Sequence, residues 1–369
     1  MTFIMTGSDR KKLCFVLPEY QRSTHFEYKY EFANAASKEL DFFLIVEKGG
    51  RLKKTSDSLR VYSQKFGFFP FRLVENFLAL LYLRARGYRD FYVHYSFLSA
   101  FNASIVVWLL GGRVFYWNAG LPWLYRRNPV RDFFERRVYR IISFLVTGTE
   151  GLKSGYANAY RIPPSKIKVM PNWIDTKETE EISGHTNGLR EKLHIASGTN
   201  ILLFVHKLSR RKGAYFLADI LKAVPEAVLI VIGDSPERTA VEKQCKELGV
   251  LERARFLGCL PQKEALRYFG IADVFIMPSE EEGFSHSLLE AMATGTPFVA
   301  FDAGGTKEII PPELQRFIFR VGDIDGMVRG INELLVSKKT ADMVRGIERA
   351  WVPRFGKERV LKIFFGLFA

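Results

Sequence analysis

Cysteine is scarce in this chain. Cys14, Cys245 and Cys259 are the only three, and they lie far apart. That excludes a disulfide-stapled scaffold and a cysteine zinc site, and it suits reduced core thiols in a cytosolic protein. Long apolar runs are missing as well. The longest, Phe77 to Leu83 and Ser104 to Leu110, fall short of the roughly 18 residues of a spanning helix. Met1 to Lys12 lacks the apolar stretch of a secretory signal. Internal repeats and low-complexity tracts are absent, which argues against a solenoid.

What is present is a chain of 369 residues, long enough for two domains, with the 47% hydrophobic content of a globular core. Its formal charge is +14, and the excess is local. Between Arg51 and Glu150 there are 16 basic and 6 acidic residues, a net +10. Aromatics interleave with these charges in Lys65-Phe66-Gly67-Phe68-Phe69-Pro70-Phe71-Arg72, Tyr125-Arg126-Arg127 and Phe133-Phe134-Glu135-Arg136-Arg137. Such a pattern suits an anionic membrane surface. It also suits nucleic acid, or a solvated face over a Phe-rich core.

Short apolar or β-branched runs alternate with helix-length segments throughout. Strands are predicted at Leu13–Leu17, Phe42–Val46, Phe91–Tyr95, Val114–Trp117, Ile142–Thr147 and Ile167–Met170. A second series is predicted at Ile201–His206, Val228–Ile232, Ala254–Leu257, Val274–Met277 and Phe298–Phe301. Strands alternating with helices imply parallel sheets in an α/β fold. The polar segment Thr176 to Asn200 separates the two series. The expected domains are 1–178, 179–350 and a terminal segment 351–369 that ends in a helix near Gly356 to Phe365.

The most informative stretch runs from Pro278 to Pro297. Glu282 and Glu290 have seven residues between them, the first in a loop after a strand, the second about one and a half turns into a helix that starts near Phe284 or Ser285. Backbone N–H groups of Gly283 to Ser287 at a helix start favour an anion. Two carboxylates beside a phosphate site suggest a ligand with hydroxyls and phosphates, such as a nucleotide-sugar. Glu282-Gly283-Phe284, then Glu290-Ala291-Met292-Ala293 and Gly295-Thr296-Pro297, resemble the donor-site signature of the family-four (group 1) retaining glycosyltransferases. Ser285, His286 and Ser287 replace the more usual Gly-x-Pro. Pro171-Asn172-Trp173-Ile174-Asp175 is similar to that family's hinge, with Trp173 in place of glycine.

The resemblance extends through the second half. His206-Lys207-Leu208-Ser209-Arg210-Arg211-Lys212-Gly213 occupies a strand-to-helix loop, where open α/β sheets bind ligands. Lys207 stands where the family has arginine, and Lys212 matches its lysine; both would neutralise a leaving diphosphate. Gly304-Gly305-Thr306, Gly233 and Gly258 fall at further donor-side turns of the family. The first half resembles it only in outline. Glu19 to His25 lacks the usual glycines, and the acceptor-side candidates are Arg22, His25, His94 and Asn118. Asn118 stands near a position that often holds a catalytic histidine.

The resemblance implies two Rossmann-like domains facing across a cleft, the GT-B architecture, with helices on both faces of parallel sheets. It implies transfer of a hexose from a UDP- or GDP-linked sugar to a glycan or lipid-linked acceptor, with retention and with no cofactor or metal. Glu282 would lie at the hexose and Glu290 at the ribose. Alternatives are a nucleotide-sugar 2-epimerase of the same fold, or a basic nucleic-acid or membrane-binding protein with an inactive transferase domain. The expected partners are the donor, the acceptor and an anionic membrane, not nucleic acid, with the chain peripheral on the inner, cytoplasmic face.

Overall fold

Strands made almost wholly of Val, Ile, Leu and Phe bury both faces, and only a sheet covered by helices on each side accommodates them. Ala227–Ile232 is buried at every position. The computed structural model describes residues 10–19, 27–48, 59–124 and 128–369. It divides into two units, Met1–Met170 with Leu361–Ala369, and Pro171–Val360.

The first unit holds β1 (Lys12–Leu17), β2 (Asp41–Val46), β3 (Leu59–Ser63), β4 (Asp90–His94), β5 (Arg113–Trp117), β6 (Phe144–Thr147) and β7 (Ile167–Val169). All are parallel, in the order β3-β2-β1-β4-β5-β6-β7. Its helices include α1 (Glu27–Ala36), α2 (Phe69–Ala85), α3 (Phe97–Leu110), α4 (Pro129–Ile141) and α5 (Glu150–Tyr160). The second unit holds β8 (Asn200–Val205), β9 (Ala227–Ile232), β10 (Ala254–Gly258), β11 (Val274–Met277), β12 (Phe298–Phe301) and β13 (Ile318–Phe319). They form a second parallel sheet in the order β10-β9-β8-β11-β12-β13.

Each sheet is doubly wound, so strand order reverses once: between β1 and β4 in the first, between β8 and β11 in the second. The carboxyl ends of those pairs are where ligands bind in open α/β sheets. His94 ends β4, and His206 follows β8 directly.

The eleven predicted strands are all present, and β3 and β13 join them as edge strands. The domain boundaries differ from the expectation. Thr176–Gly184, read as linker, is a helix of the second unit capped by Asp175, whose carboxylate accepts from the Glu178 N–H. It packs on the helices Gln262–Phe269 and His286–Thr294, which draws the boundary back to Met170. At the other end, Trp351 donates to the Ile309 carbonyl at 2.8 Å, and Val352 and Phe355 lie in the second core. Only Leu361–Ala369 joins the first unit, where Phe364 packs edge-on against Phe32 and Tyr92 and Arg113 donates to the Phe368 carbonyl.

Candidate active site

The loop after β11 carries Glu282, and the loop after β8 carries His206 to Lys212. Because β8 and β11 are neighbours, the two loops meet. The Arg211 carbonyl accepts from the N–H groups of Glu280 and Glu281, at 2.9 and 3.1 Å. Tyr215 donates to Glu280 at 2.6 Å, and Arg211 pairs with Glu281.

This stitching places Glu282 in a buried pocket of charge, 3% exposed. Lys212 Nζ lies 2.9 Å from its Oε1 and His206 Nε2 lies 3.4 Å away. Burial raises the Glu282 pKa, but the Lys212 charge and the His206 ring outweigh it and hold the carboxyl down at about 2. His206 Nδ1 accepts from the Lys207 N–H at 2.8 Å, which leaves the ring proton on Nε2, facing the carboxylate. Burial first, then Lys212, pushes the His206 pKa down, so the ring is neutral at neutral pH. Glu282 is therefore an ionised acceptor of hydroxyl protons, and no proton donor.

Lys212 is less free than the sequence suggested. Besides Glu282, it donates to the Glu281 carbonyl at 3.0 Å. An ammonium has three N–H groups, so one is left for a ligand. Lys207 is exposed, and its side chain has no ion-pair partner among the described residues.

Glu290 lies in the helix His286–Thr294, which begins one to two residues later than expected, with Ser285 as its cap. Its Oε1 accepts from Gln262 at 2.7 Å and lies 3.2 Å from His286 Nδ1. The Ser287 hydroxyl donates to the Val205 carbonyl at the end of β8. Phe284 is buried against Phe355, and its carbonyl accepts from Asn172 of the Pro171–Asp175 segment at 3.1 Å.

Gly304 has a role that its sequence context did not show. At φ +54°, a Cβ on it would lie 1.7 Å from the Glu282 carbonyl, while Gly305 N–H donates to the same oxygen. Gly213, at φ +70°, would likewise collide with the Pro278 carbonyl. Both absences of a side chain serve the approach of one loop to another, and so fix Glu282. Gly233 N–H donates to the Gly258 carbonyl at 2.8 Å, and the Thr306 hydroxyl donates to Ala303. The chain's one Asp-x-Asp spacing, Asp323-Ile324-Asp325, is spent on helix capping: Asp323 accepts from the Gly326 N–H.

In the first unit, Asn118 is committed internally. Its amide nitrogen reaches the hydroxyls of Tyr139 and Tyr116 at 3.2 and 3.4 Å, and its oxygen accepts from the Gly120 N–H at 2.9 Å. This holds the loop after β5. His94 stacks on Trp117 at 4.1 Å, and Lys29 Nζ, from the first turn of α1, lies 3.2 Å from its Nδ1. Burial pushes both bases well below their ordinary values. Tyr95 follows at φ +57°, with the Ser96 N–H donating back to the His94 carbonyl, a strained γ-turn at a strand end. Arg22 and His25 lie outside the described residues.

Sequence reasoning missed Lys29, His206 and Gln262 as site residues. His206 stood beside a motif and at a strand end, a usable signal. Lys29 and Gln262 carried none.

Residues 186–350 match the family model of the group 1 glycosyl transferases. The second unit belongs to the group 1 glycosyl transferases. Among curated relatives of this glycosyl transferase unit, an uncharacterized glycosyltransferase of Methanocaldococcus jannaschii is 29% identical, over 52% of this chain and 50% of its own length. The 2-deoxystreptamine glucosyltransferase of Streptomyces kanamyceticus is 25% identical, over 57% and 55%. The chain thus spans about half the length of the curated relatives it matches. Solved structures resemble nearly the whole chain in fold. Sucrose-phosphate synthase from Thermosynechococcus elongatus has a TM-score of 0.85 at 18% identity, covering 97% of this chain and 98% of its own. Anabaena HepE in complex with UDP-glucose has 0.78 at 18% identity, covering 97% and 99%. Both likenesses concern the GT-B fold.

Proposed function

We propose that this protein is a retaining, nucleotide-sugar-dependent hexosyltransferase that acts on a glycan or lipid-linked acceptor in glycoconjugate biosynthesis. One observation carries the reading: ionised Glu282, buried between Lys212 and His206, shares the β8/β11 switch point with Glu290, Gln262 and His286. Glu282 accepts hydroxyls of the donor hexose. Glu290 accepts the paired ribose hydroxyls, oriented by Gln262 and His286. The UDP-glucose complex of HepE supports a uridine or other nucleoside-diphosphate donor.

The diphosphate meets Lys207, the remaining N–H of Lys212 and the backbone around Gly283 and Phe284. These fixed donors stabilise the charge that develops as the glycosidic bond breaks. They make a divalent metal unnecessary. The departing phosphate accepts the proton of the attacking acceptor hydroxyl on the same face, which gives retention. His94 and Lys29, at the first unit's own switch point, are assigned to the acceptor.

The test is a screen of UDP- and GDP-sugars with mass-spectrometric detection on polyprenyl-phosphate, glycolipid and oligosaccharide acceptors, followed by anomeric assignment of the product. Transfer with the anomeric configuration kept supports the proposal. Release of UDP with a free or epimerised sugar, and no transfer to any acceptor, overturns it.

A further inference from the structure

The crossovers of the first unit place its helices unequally. Connections from β3 to β4, β4 to β5 and β5 to β6 all run in the same direction along the sheet. Right-handed crossovers then put α2, α3 and α4 side by side on one face, and α3 packs against both neighbours.

The outer side of that layer is apolar. In α2, Phe71, Val74, Leu78 and Tyr82 recur at spacings of three, four and four and are each more than half exposed, while Glu75, Asn76, Leu80 and Leu83 turn inward. Phe66 and Phe68 extend the row ahead of the helix, both packed against Phe71. The end of α3 adds Trp108, 81% exposed, with Leu109 and Leu110. In α4, Val130, Phe133, Phe134 and Ile141 are exposed. So many large apolar side chains on adjacent helices make a patch far beyond isolated surface residues.

Charge decides what covers it. Arg72 lies over Phe69, Arg86 over Tyr82 and Arg137 over Phe133, each within 6 Å of the ring. Acid is kept away. The carboxylate of Glu75, the one acid of α2, is held by the Tyr62 hydroxyl and the N–H groups of Lys65 and Phe66. It thereby fixes the aromatic row instead of facing out. α3 contains no acid at all. In α4, Glu135 is buried, and Asp132 is paired with Arg136 at 2.6 Å. Aromatics flanked by arginines, with carboxylates withdrawn, complement a phosphate-bearing lipid surface. Among the described residues no helix is long and apolar enough to cross a membrane.

We propose that α2, the last turn of α3 and α4 dock on the surface of an anionic lipid bilayer, with Phe66, Phe68, Phe71 and Trp108 entering the headgroup layer and the arginines meeting lipid phosphates. Tyr125, Arg126 and Arg127, which the sequence also pointed to, lie outside the described residues.

The experiment is co-sedimentation of the full chain with vesicles of phosphatidylcholine alone and of phosphatidylcholine mixed with phosphatidylglycerol. Trp108 quenching by brominated lipid is measured in parallel. The wild type should partition to the anionic vesicles, weaken with salt and show quenching. Arg72→Glu/Arg86→Glu/Arg137→Glu should lower anionic partition roughly 100-fold, since each basic residue contributes about a fivefold preference. Phe68→Ser/Phe71→Ser/Trp108→Ser should lose partition at every salt concentration. Arg72 is half-buried and the other substituted residues are exposed, so both variants should keep the wild-type circular dichroism. Equal partition on both vesicle types, no quenching, or variants that bind as well as wild type would overturn the proposal. So would a stable dimer that the serine variant dissociates, because the face would then be a protein interface. Lipid binding is read without any transfer assay, so its failure is separate from failure of the enzymatic reading.

Discussion

Lys212 Nζ lies 2.9 Å from Glu282 Oε1, and both belong to loops that leave adjacent strands of the second sheet. Glu282 is buried, Lys212 is partly buried, and the pair is nearly neutral as a unit. Removing one partner strands the other charge, which costs roughly 3–5 kcal/mol, whereas replacing both is far milder. Lys212→Met and Glu282→Gln should therefore each destabilise the fold more than the double variant's effect divided between them. Urea unfolding of the four proteins measures the coupling. Additive free energies would show that the two side chains do not interact in solution.

The same pair sets an acid limit. Glu282 is held at about 2, below its ordinary 4.5. A carboxylate whose folded pKa is depressed stabilises above its unfolded value, and loses that contribution as pH falls through the folded one. The Glu282 contribution is thus complete above pH 4.5 and fades between 4.5 and about 2. In Lys212→Met the Glu282 pKa should rise, and the acid-unfolding midpoint should move to higher pH. An unchanged midpoint would contradict the assignment.

Donor chemistry separates the two glutamates. Glu290→Ala should raise the donor KM by an amount equal to roughly 1.5–3 kcal/mol, the worth of charged hydrogen bonds. Glu282→Gln should mainly lower kcat. Lys207→Ala and Lys212→Ala should lower kcat/KM by about 10²-fold or more. Activity should survive EDTA. Loss in EDTA and recovery with magnesium would overturn the metal-free mechanism.

Gly304→Ala tests how Glu282 is placed. The new Cβ meets the Glu282 carbonyl at 1.7 Å, so the loop must shift. Turnover should collapse while donor binding through Glu290 is largely kept. Gly346→Ala provides the control: it lies in the helix Lys338–Trp351 with nothing within 4 Å, and should gain about 0.5–1 kcal/mol. Similar kinetics in both variants would mean that the Gly304 contact is not formed.

Lys29 predicts a second rise of stability with pH, in a more alkaline window. Its folded pKa is well below 10.5, chiefly through burial. Below 10.5 the unfolded chain binds a proton that the folded chain releases until its own lower pKa is reached, so stability rises with pH across that window. Lys29→Met should be more stable than wild type near neutral pH and lose this rise. Parallel urea midpoints against pH in the two proteins would show that Lys29 is not buried as described.

Much of the fold was legible in the sequence because buried parallel strands are written as uninterrupted apolar runs, and eleven were readable as such. β3, Leu59–Ser63, was missed because an edge strand is half exposed and carries Arg60. The helix Thr176–Gly184 was missed because its polar surface resembles a linker, although Asp175 with Glu178 three residues on marks a helix start.

The sequence by itself determined the two α/β units, the Glu282–Glu290 loop and helix, and the basic aromatic segment. These are encoded by neighbours along the chain: periodicity, caps and short spacings. Tertiary structure alone decided that Lys212 and His206 close on Glu282, that Gly304 makes room for its carbonyl, that Lys29 meets His94, and that Glu75 turns inward beneath an exposed aromatic face. Such partners lie tens of residues apart. Lys212 and His206 meet Glu282, and Lys29 meets His94, because β8 lies beside β11 and β1 beside β4; strand order arises from packing whole elements together, which no local pattern records.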